Sequence, residues 1–235
     1  MRVTTGSIAV VNATPSFAMP FYTPTMPGVH GAAERTLVLW AKRAVDVVLA
    51  ATCLLLSLPL LLLASAAISL TTRGAPFFRQ RRVGLNGAEF TMYKLRTMCD
   101  DAELQEAALA ERRPHRVFFK RVRDPRVTAV GKWLRKYSID ELPQLYNVLI
   151  GDMSLVGPRP LLASDWKNFP RDHHRRRITM KPGITGLWQV NGRSLCSDQE
   201  RMRLDVEYVD RWTFAMDIKI LLRTPAVVLS ARGAC

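Results

Sequence analysis

Cysteine and histidine are scarce in this chain and poorly placed for chemistry. Its four cysteines, Cys53, Cys99, Cys196 and Cys235, are scattered without a CxxC pair. They indicate neither a zinc site nor a disulfide framework, and a reducing, cytoplasm-facing setting fits them. His30, His115, His173 and His174 show no metal-ligand spacing, and the last two lie in the basic run "RDHHRRR". There is no Walker A motif, no GxGxxG and no nucleophile elbow. No internal repeat or low-complexity block is found. Acidic residues are also in deficit, 20 Asp+Glu against 34 Lys+Arg, which leaves a net charge of +14. A balance of that kind implies an anionic partner, whether nucleic acid, phospholipid headgroups or phosphorylated small molecules, and charge alone does not choose among them.

What is present begins with length. At 235 residues the chain suffices for one substantial domain, or for a membrane segment plus a compact domain. Residues 1–34 carry four prolines and little periodicity, and read as a mobile N-terminal arm. They do not form a signal peptide, because the apolar patch "SIAVV" falls short of an h-region of about 7–15 residues.

From Val47 to Leu70, 24 residues pass without a charge, enough for a helix that needs about 20 to cross a bilayer. Lys42 and Arg43 precede the run, and Arg73, Arg79, Arg81 and Arg82 follow it, so both ends call for the cytoplasmic side. Pro59, at the middle, removes an N–H and frees the carbonyl of Leu55, which kinks a helix. Ser57 is placed to satisfy the freed backbone. Residues 35–73 are therefore expected to form a re-entrant hairpin that enters the bilayer, bends at Ser57–Pro59 and returns to the same face. A single kinked span is the alternative.

Residues 74–235 read as a cytoplasmic, membrane-associated domain. The stretch "PFFRQRRVGLNGAEFTMYKLRTM" alternates apolar and polar residues around a turn at Leu85–Gly87, the pattern of an arginine-rich β-hairpin. Asp100–Arg113 is a helix candidate. Thr128 is placed to cap a helix whose apolar face carries Val130, Trp133, Leu134 and Tyr137. Ser138 and Glu141 then form a capping-box pattern, with Pro143 in the first turn and Gly151 as the stop. Ser197 or Asp198 opens a polar helix, "DQERMRLDVEYVD". Beyond it, Trp212, Phe214, Ile218, Leu221 and Leu222 lie beside Lys219 and Arg223, as on an interfacial amphipathic helix. Packing of that segment on the domain core is the alternative.

The acidic pair Asp140-Glu141 thus falls at a helix N-terminus, where capping is its simplest role. Its surroundings point further. Arg135 and Lys136 lie just upstream, and "GDMSLVGPRP" lies one helix downstream, where Gly-Pro turns expose N–H groups and Arg159 can fork onto a phosphate. A carboxylate among cations keeps a low pKa and stays ionised, as a nucleophile or metal ligand must.

In these stretches the chain resembles the bacterial sugar transferases that begin exopolysaccharide assembly, the small monotopic phosphoglycosyl transferases. "KRAVD", "FFRQRRVGLNG", "YKLRTM", "DPRVTAVGKWLRKYSIDELPQLYNVLIGDMSLVGPRP" and "KPGITGLWQVNGR" run in the family's order across most of residues 41–195. One departure is Leu58, which stands where the family has a serine before the kink proline. The resemblance implies an α/β, mostly helical, membrane-associated fold: a small sheet and interfacial amphipathic helices behind a re-entrant membrane helix-break-helix. It also implies an activity at the inner (cytoplasmic) membrane, facing the cytoplasm. Asp140 would attack the sugar-bearing phosphate of a UDP-hexose, glucose or galactose, releasing UMP and leaving an aspartyl phosphosugar. Undecaprenyl phosphate would then take the phosphosugar. Glu141 would assist by orienting the acceptor or Mg²⁺, with both acids as metal ligands, and Lys94, Arg96, Arg135 and Arg159 would hold phosphate. Membrane lipids and downstream glycosyltransferases are the expected partners, and nucleic acid is not.

Two other readings compete. A glycosyl transferase releasing UDP would want a spaced DxD pair, and "CDDAE" offers only adjacent Asp100 and Asp101. A non-catalytic basic anchor for acidic lipid or nucleic acid accounts for the charge but gives Asp140-Glu141 no task beyond capping.

Overall fold

The computed structural model of the chain describes residues 31–99, 102, 124–162 and 176–231. The expected helix over Asp100–Arg113, the histidine pair and nearly all of the amino-terminal arm lie outside them. Helix α1, Ala32–Thr71, takes up the last three residues assigned to the arm and continues through the whole apolar run. Among the described residues it is the one helix long and apolar enough to cross a membrane.

Helix α1 is continuous, with Pro59 inside it, so the expected break does not divide it in two. Ser57 does turn back on the backbone, but its hydroxyl donates to the carbonyl of Leu54 at 3.0 Å, one residue short of the one that Pro59 frees. The buried positions are Lys42, Asp46, Ala50, Leu61, Ala64 and Ile68, with Leu54 half-buried between them. Those intervals of three, four and eleven residues keep one stripe of the helix inward. From Lys42 to Ile68 that stripe is about 39 Å long at 1.5 Å per residue. Leu55, Leu56, Leu58, Leu62 and Leu63 face outward, exposed. Such an exposed apolar face is what a membrane-associated helix turns to lipid.

Lys42 and Arg43, read in the sequence as charges flanking the run, are both held by the domain. Lys42 is buried, 2.6 Å from Asp217 and 3.1 Å from the carbonyl of Val156. Arg43 donates to the carbonyls of Val148 and Leu149, at 2.6 and 2.9 Å. Asp46 accepts from Ser154 Oγ and from the Leu155 amide. The "KRAVD" segment is thus a clasp that binds α1 to the domain.

The hairpin forms as the alternation predicts: β1, Phe77–Val83, pairs antiparallel with β2, Glu89–Leu95, from Phe77 opposite Leu95 to Val83 opposite Glu89. Asn86 and Gly87, both at positive φ, make the turn. Helix α2, Ala129–Lys136, starts at Thr128, whose Oγ1 accepts from the Gly131 amide at 2.9 Å. A side chain at Gly131 would collide with the Thr97 carbonyl, so only glycine lets α2 close on the end of the hairpin. Helix α3, Gln144–Ile150, ends at Gly151 in the left-handed region, as expected. Asn147 fixes α3 to the sheet: its Oδ1 accepts from the Tyr93 amide and its Nδ2 donates to the Thr91 carbonyl.

Strand β3, Ser154–Val156, runs parallel to β5, Gly183–Thr185, while β4, Leu161–Leu162, adds to β1 so that the larger sheet has the order β2-β1-β4. Helix α4, Leu187–Asn191, follows β5, and α5, Asp198–Asp210, is capped by Ser197 rather than Asp198. Helix α6, Phe214–Leu229, buries Asp217 and Ile220 and leaves Leu222 and Leu229 exposed. Trp212 does not join an interfacial face; it is 1% exposed, in the core. Two apolar clusters result. Phe90, Met92, Val148, Val156, Tyr208 and Trp212 form the larger with Ala50 of α1, and Leu95, Leu134 and Ile139 form the smaller with Leu61, Ala64 and Ile68.

Candidate active site

Asp140 and Glu141 lie in a single 3₁₀ turn, Ile139–Glu141, between α2 and α3. The capping box predicted there does not form. Ser138 is left-handed, at φ 56°, and its hydroxyl caps nothing. The turn is instead held by packing: Ile139 is buried in the smaller cluster, and Pro143 immediately precedes α3, which begins at Gln144.

Glu141 points to β2 and to the loop after β3. Its Oε1 accepts from Lys94 Nζ at 3.1 Å and from Arg159 Nη2 at 3.4 Å. Burial works against the charge on Glu141. Lys94 and Arg159, the Lys94 hydrogen bond and Arg193 more than offset it, so the carboxyl stays well below the usual carboxylate range. Burial pulls Lys94 the other way, lowering its pKa, with Glu141 opposing.

Asp140 differs, and here the expectation of a low pKa fails. Burial, then the adjacent charge of Glu141, raises its pKa despite Lys94, Arg135 and Arg159. Its side chain accepts no hydrogen bond from any described residue, although Asp140 is only 9% exposed. A buried carboxylate is ordinarily paired. This one is held among cations with its oxygens uncommitted.

Arg159 is set by several contacts at once. Arg177 Nη2 donates to its carbonyl at 2.8 Å, and Arg177 is itself paired with Asp205 at 2.6 Å, both buried. The Arg159 guanidinium lies 5.6 Å from the Trp188 ring, with Arg201 5.2 Å from the same ring. Gly157, two residues earlier, passes so close to Gly183 that a Cβ on either would strike the other's backbone. That contact explains Gly157 of "VGPRP" and Gly183 of "KPGITG", while a Cβ on Gly186 would strike the Gly157 carbonyl.

Of the residues singled out in the sequence, the structure brings together Lys94, Asp140, Glu141 and Arg159, with Arg135 near enough to act on Asp140. Arg135 Nε also donates to Thr97 Oγ1 at 2.8 Å. Arg96 lies one residue beyond β2, and its Nη2 donates to Thr72 Oγ1 and the Gly74 carbonyl, tying down the end of α1. Arg193 was missed. It closes the "NGR" of a motif quoted above, but it is 55 residues from Ser138, to whose hydroxyl it donates at 2.5 Å, and no local pattern signals that contact.

Among the described residues no cluster of three or more His, Cys, Asp or Glu gathers. Asp140, with its free oxygens, and Glu141 Oε2 fit the demands of Mg²⁺, which takes one or two protein carboxylates and completes its octahedron with substrate phosphates and water.

Comparison with known proteins agrees in direction. The family model described as "Bacterial sugar transferase" matches residues 37–231. The chain is 40% identical over 232 residues to the exopolysaccharide production protein ExoY of Rhizobium meliloti, covering 95% of this chain and 99% of that one. It is 42% identical over 211 residues to the UDP-glucose:undecaprenyl-phosphate glucose-1-phosphate transferase of Caulobacter vibrioides, covering 87% of this chain and 75% of the relative. To the galactosyl transferase CpsE of Streptococcus agalactiae it is 48% identical over 163 residues, which span 68% of this chain but only 36% of that protein. The match runs from α1 through the acidic pair to the end of α6, and on it the chain belongs to the bacterial sugar transferase family.

Proposed function

We propose that the chain transfers hexose 1-phosphate from a UDP-hexose to undecaprenyl phosphate, with Asp140 as nucleophile. The observation that carries this is the uncommitted, buried carboxylate of Asp140 beside a Glu141 already neutralised by Lys94 and Arg159. An Asp140 oxygen attacks the sugar-bearing phosphorus, the bond from that phosphorus to the oxygen of UMP breaks, and UMP leaves. An oxygen of undecaprenyl phosphate then attacks the same phosphorus, the aspartyl–phosphorus bond breaks, and Asp140 is regenerated. Burial and the neighbouring charge raise the proton affinity of Asp140, which makes its ionised oxygen the stronger nucleophile. Lys94, Arg135 and Arg159 take up the phosphate charge in a poorly solvated site, where they act most strongly. Asp140 and Glu141 would hold Mg²⁺, whose chemistry is to neutralise phosphate oxygens. The hexose is glucose or galactose, the sugars carried in the names of the relatives, and the product begins exopolysaccharide assembly.

The acceptor's lipid tail suits the apolar face of α1. The helix is fastened to one domain at Lys42, about three turns in, through Asp217, and just past its C-terminal end at Thr72, through Arg96. This supports a helix that dips into the cytoplasmic leaflet and keeps both ends on one side. Labelling of cysteines placed at Arg35 and Arg73 from opposite faces of the membrane would overturn that topology.

The chemistry is tested by incubating the purified protein with Mg²⁺, undecaprenyl phosphate and UDP-glucose or UDP-galactose, and identifying the nucleotide released. UMP is expected, and its release is abolished in Asp140→Asn, a variant expected to melt within a few degrees of the parent. UDP in place of UMP would mean that sugar moves without phosphate. UMP release that survives in Asp140→Asn would remove Asp140 from the nucleophile's role.

A further inference from the structure

We propose that Arg193 is a further substrate-binding residue, a guanidinium that grips the diphosphate of the nucleotide donor. The inference rests on the donor chemistry above and deepens it.

Two features set Arg193 apart. First, it and Ser138 are both non-glycine residues in the left-handed region, at φ 51° and φ 56°. Such backbone costs energy and persists where the surrounding structure imposes it, most often at functional sites. Among the described residues, the other two non-glycine residues at positive φ are Asn86, in the hairpin turn where asparagine is at home, and Ala231, just past the end of α6. Ser138 and Arg193 instead face one another: Arg193 Nη2 donates to Ser138 Oγ, two residues before Asp140. Second, that bond uses one arm of the fork and leaves the other. Arg193 Nη1 is buried without a hydrogen-bond partner, and a buried N–H without an acceptor is costly. The Ser138 bond anchors the guanidinium on the residue two before Asp140, and its charge acts on Glu141. An anionic, acceptor-rich group such as a phosphate is what completes it.

The donor is favoured over the lipid acceptor by where Arg193 comes from. Helix α1, against which the lipid lies, packs on α2, α3 and β3. Arg193 belongs to the turn between α4 and α5. Beside it opens a shallow, solvent-open groove whose lining includes Asn191, Gly192, Ser197 and Leu204 with Glu200 and Arg203, the last two paired at 2.7 Å.

The test is calorimetric titration of the detergent-solubilised full chain with UDP, beside steady-state kinetics for each substrate. In Arg193→Ala, affinity for UDP is expected to fall about 10- to 100-fold, the span of one charge-assisted hydrogen bond lost. KM for undecaprenyl phosphate stays within about twofold. Arg193→Lys, which keeps the charge but not the fork, falls between, and serves if the alanine variant does not fold. Ser138→Ala, which frees the guanidinium but keeps it, weakens UDP by less than Arg193→Ala. Parental UDP affinity in folded Arg193 variants overturns the proposal, as does a loss confined to the acceptor's KM. A parental chain that binds no UDP would instead defeat the donor chemistry itself, a result read without any turnover.

Discussion

Replacing Lys42 by methionine should damage this protein far more than the loss of one surface charge. Lys42 Nζ sits 2.6 Å from Asp217 Oδ2, with the two side chains 10% and 4% exposed. In the intact pair, attraction and the cost of desolvation nearly cancel. Remove the cation, and Asp217 is left as a buried carboxylate with neutral partners such as the hydroxyl of Tyr208, which donates to it at 2.7 Å. An ion left buried in this way costs about 3–5 kcal/mol. At roughly 2–4 °C per kcal/mol for a chain of this size, the melting temperature falls by about 6–20 °C. The sign of the pH dependence follows from Asp217. Burial already raises its pKa, with Lys42 opposing, so without Lys42 it rises further. A carboxyl whose folded pKa lies above its unfolded one binds more protons folded, so the loss of stability grows as pH rises through the folded pKa. Circular dichroism melts at pH 5 and pH 8 read both effects. The double variant Lys42→Met, Asp217→Asn should recover part of the loss, since Asp217 is no longer a buried ion, while Asp46, 3.9 Å from Lys42 in the parent, keeps its bonds to Ser154 and the Leu155 amide. A drop under about 2 °C, or a double variant no better than the single, would refute the clasp as an energetic link between α1 and the domain.

Asn147→Ala should cost about 2–5 kcal/mol, because the Tyr93 amide and Thr91 carbonyl both lose their buried partner; faster hydrogen exchange confined to the Tyr93 region reads it locally, and unchanged exchange there would count against it. Asp205 is lifted by burial to a pKa of about 6, with Arg177 and Arg159 opposing. Its folded pKa exceeds the unfolded value, so its contribution is largest below about pH 4 and is lost as pH rises through about 6. Asp205→Asn should therefore gain stability relative to the parent between pH 4 and pH 7, by up to roughly 3 kcal/mol from a shift of about two units; denaturant titrations at the two pH values decide it, and a relative loss would reverse the sign argued here.

Much of the architecture is local and so was legible. The apolar run gave α1 by length, the alternation gave the β1–β2 hairpin with its turn at Leu85–Gly87, and Thr128 and Gly151 marked helix ends through bonds within a few residues. The acidic pair and Lys94 and Arg159 were found because charge, turn residues and family order coincided. Errors arose where a local pattern was overruled. Ser138 and Glu141 match a capping box, but Glu141 gains more from Lys94 and Arg159 than a cap offers, and Ser138 is drawn to Arg193. Lys42 and Arg43 look like flanking charges because nothing nearby in sequence reveals that Asp217 and Val148 will meet them.

The sequence by itself determined the periodicities, the caps, the turns and the membrane-seeking helix, since each depends on atoms a few residues apart. Only the tertiary structure decided which charges are paired and which is left uncommitted. Lys94, Glu141 and Arg159 meet across 47 and 18 residues, and Lys42 meets Asp217 across 175. Burial then fixes their chemistry, because the field acting on a carboxylate depends on every neighbour in space and on how much water is excluded, and neither is written along the chain.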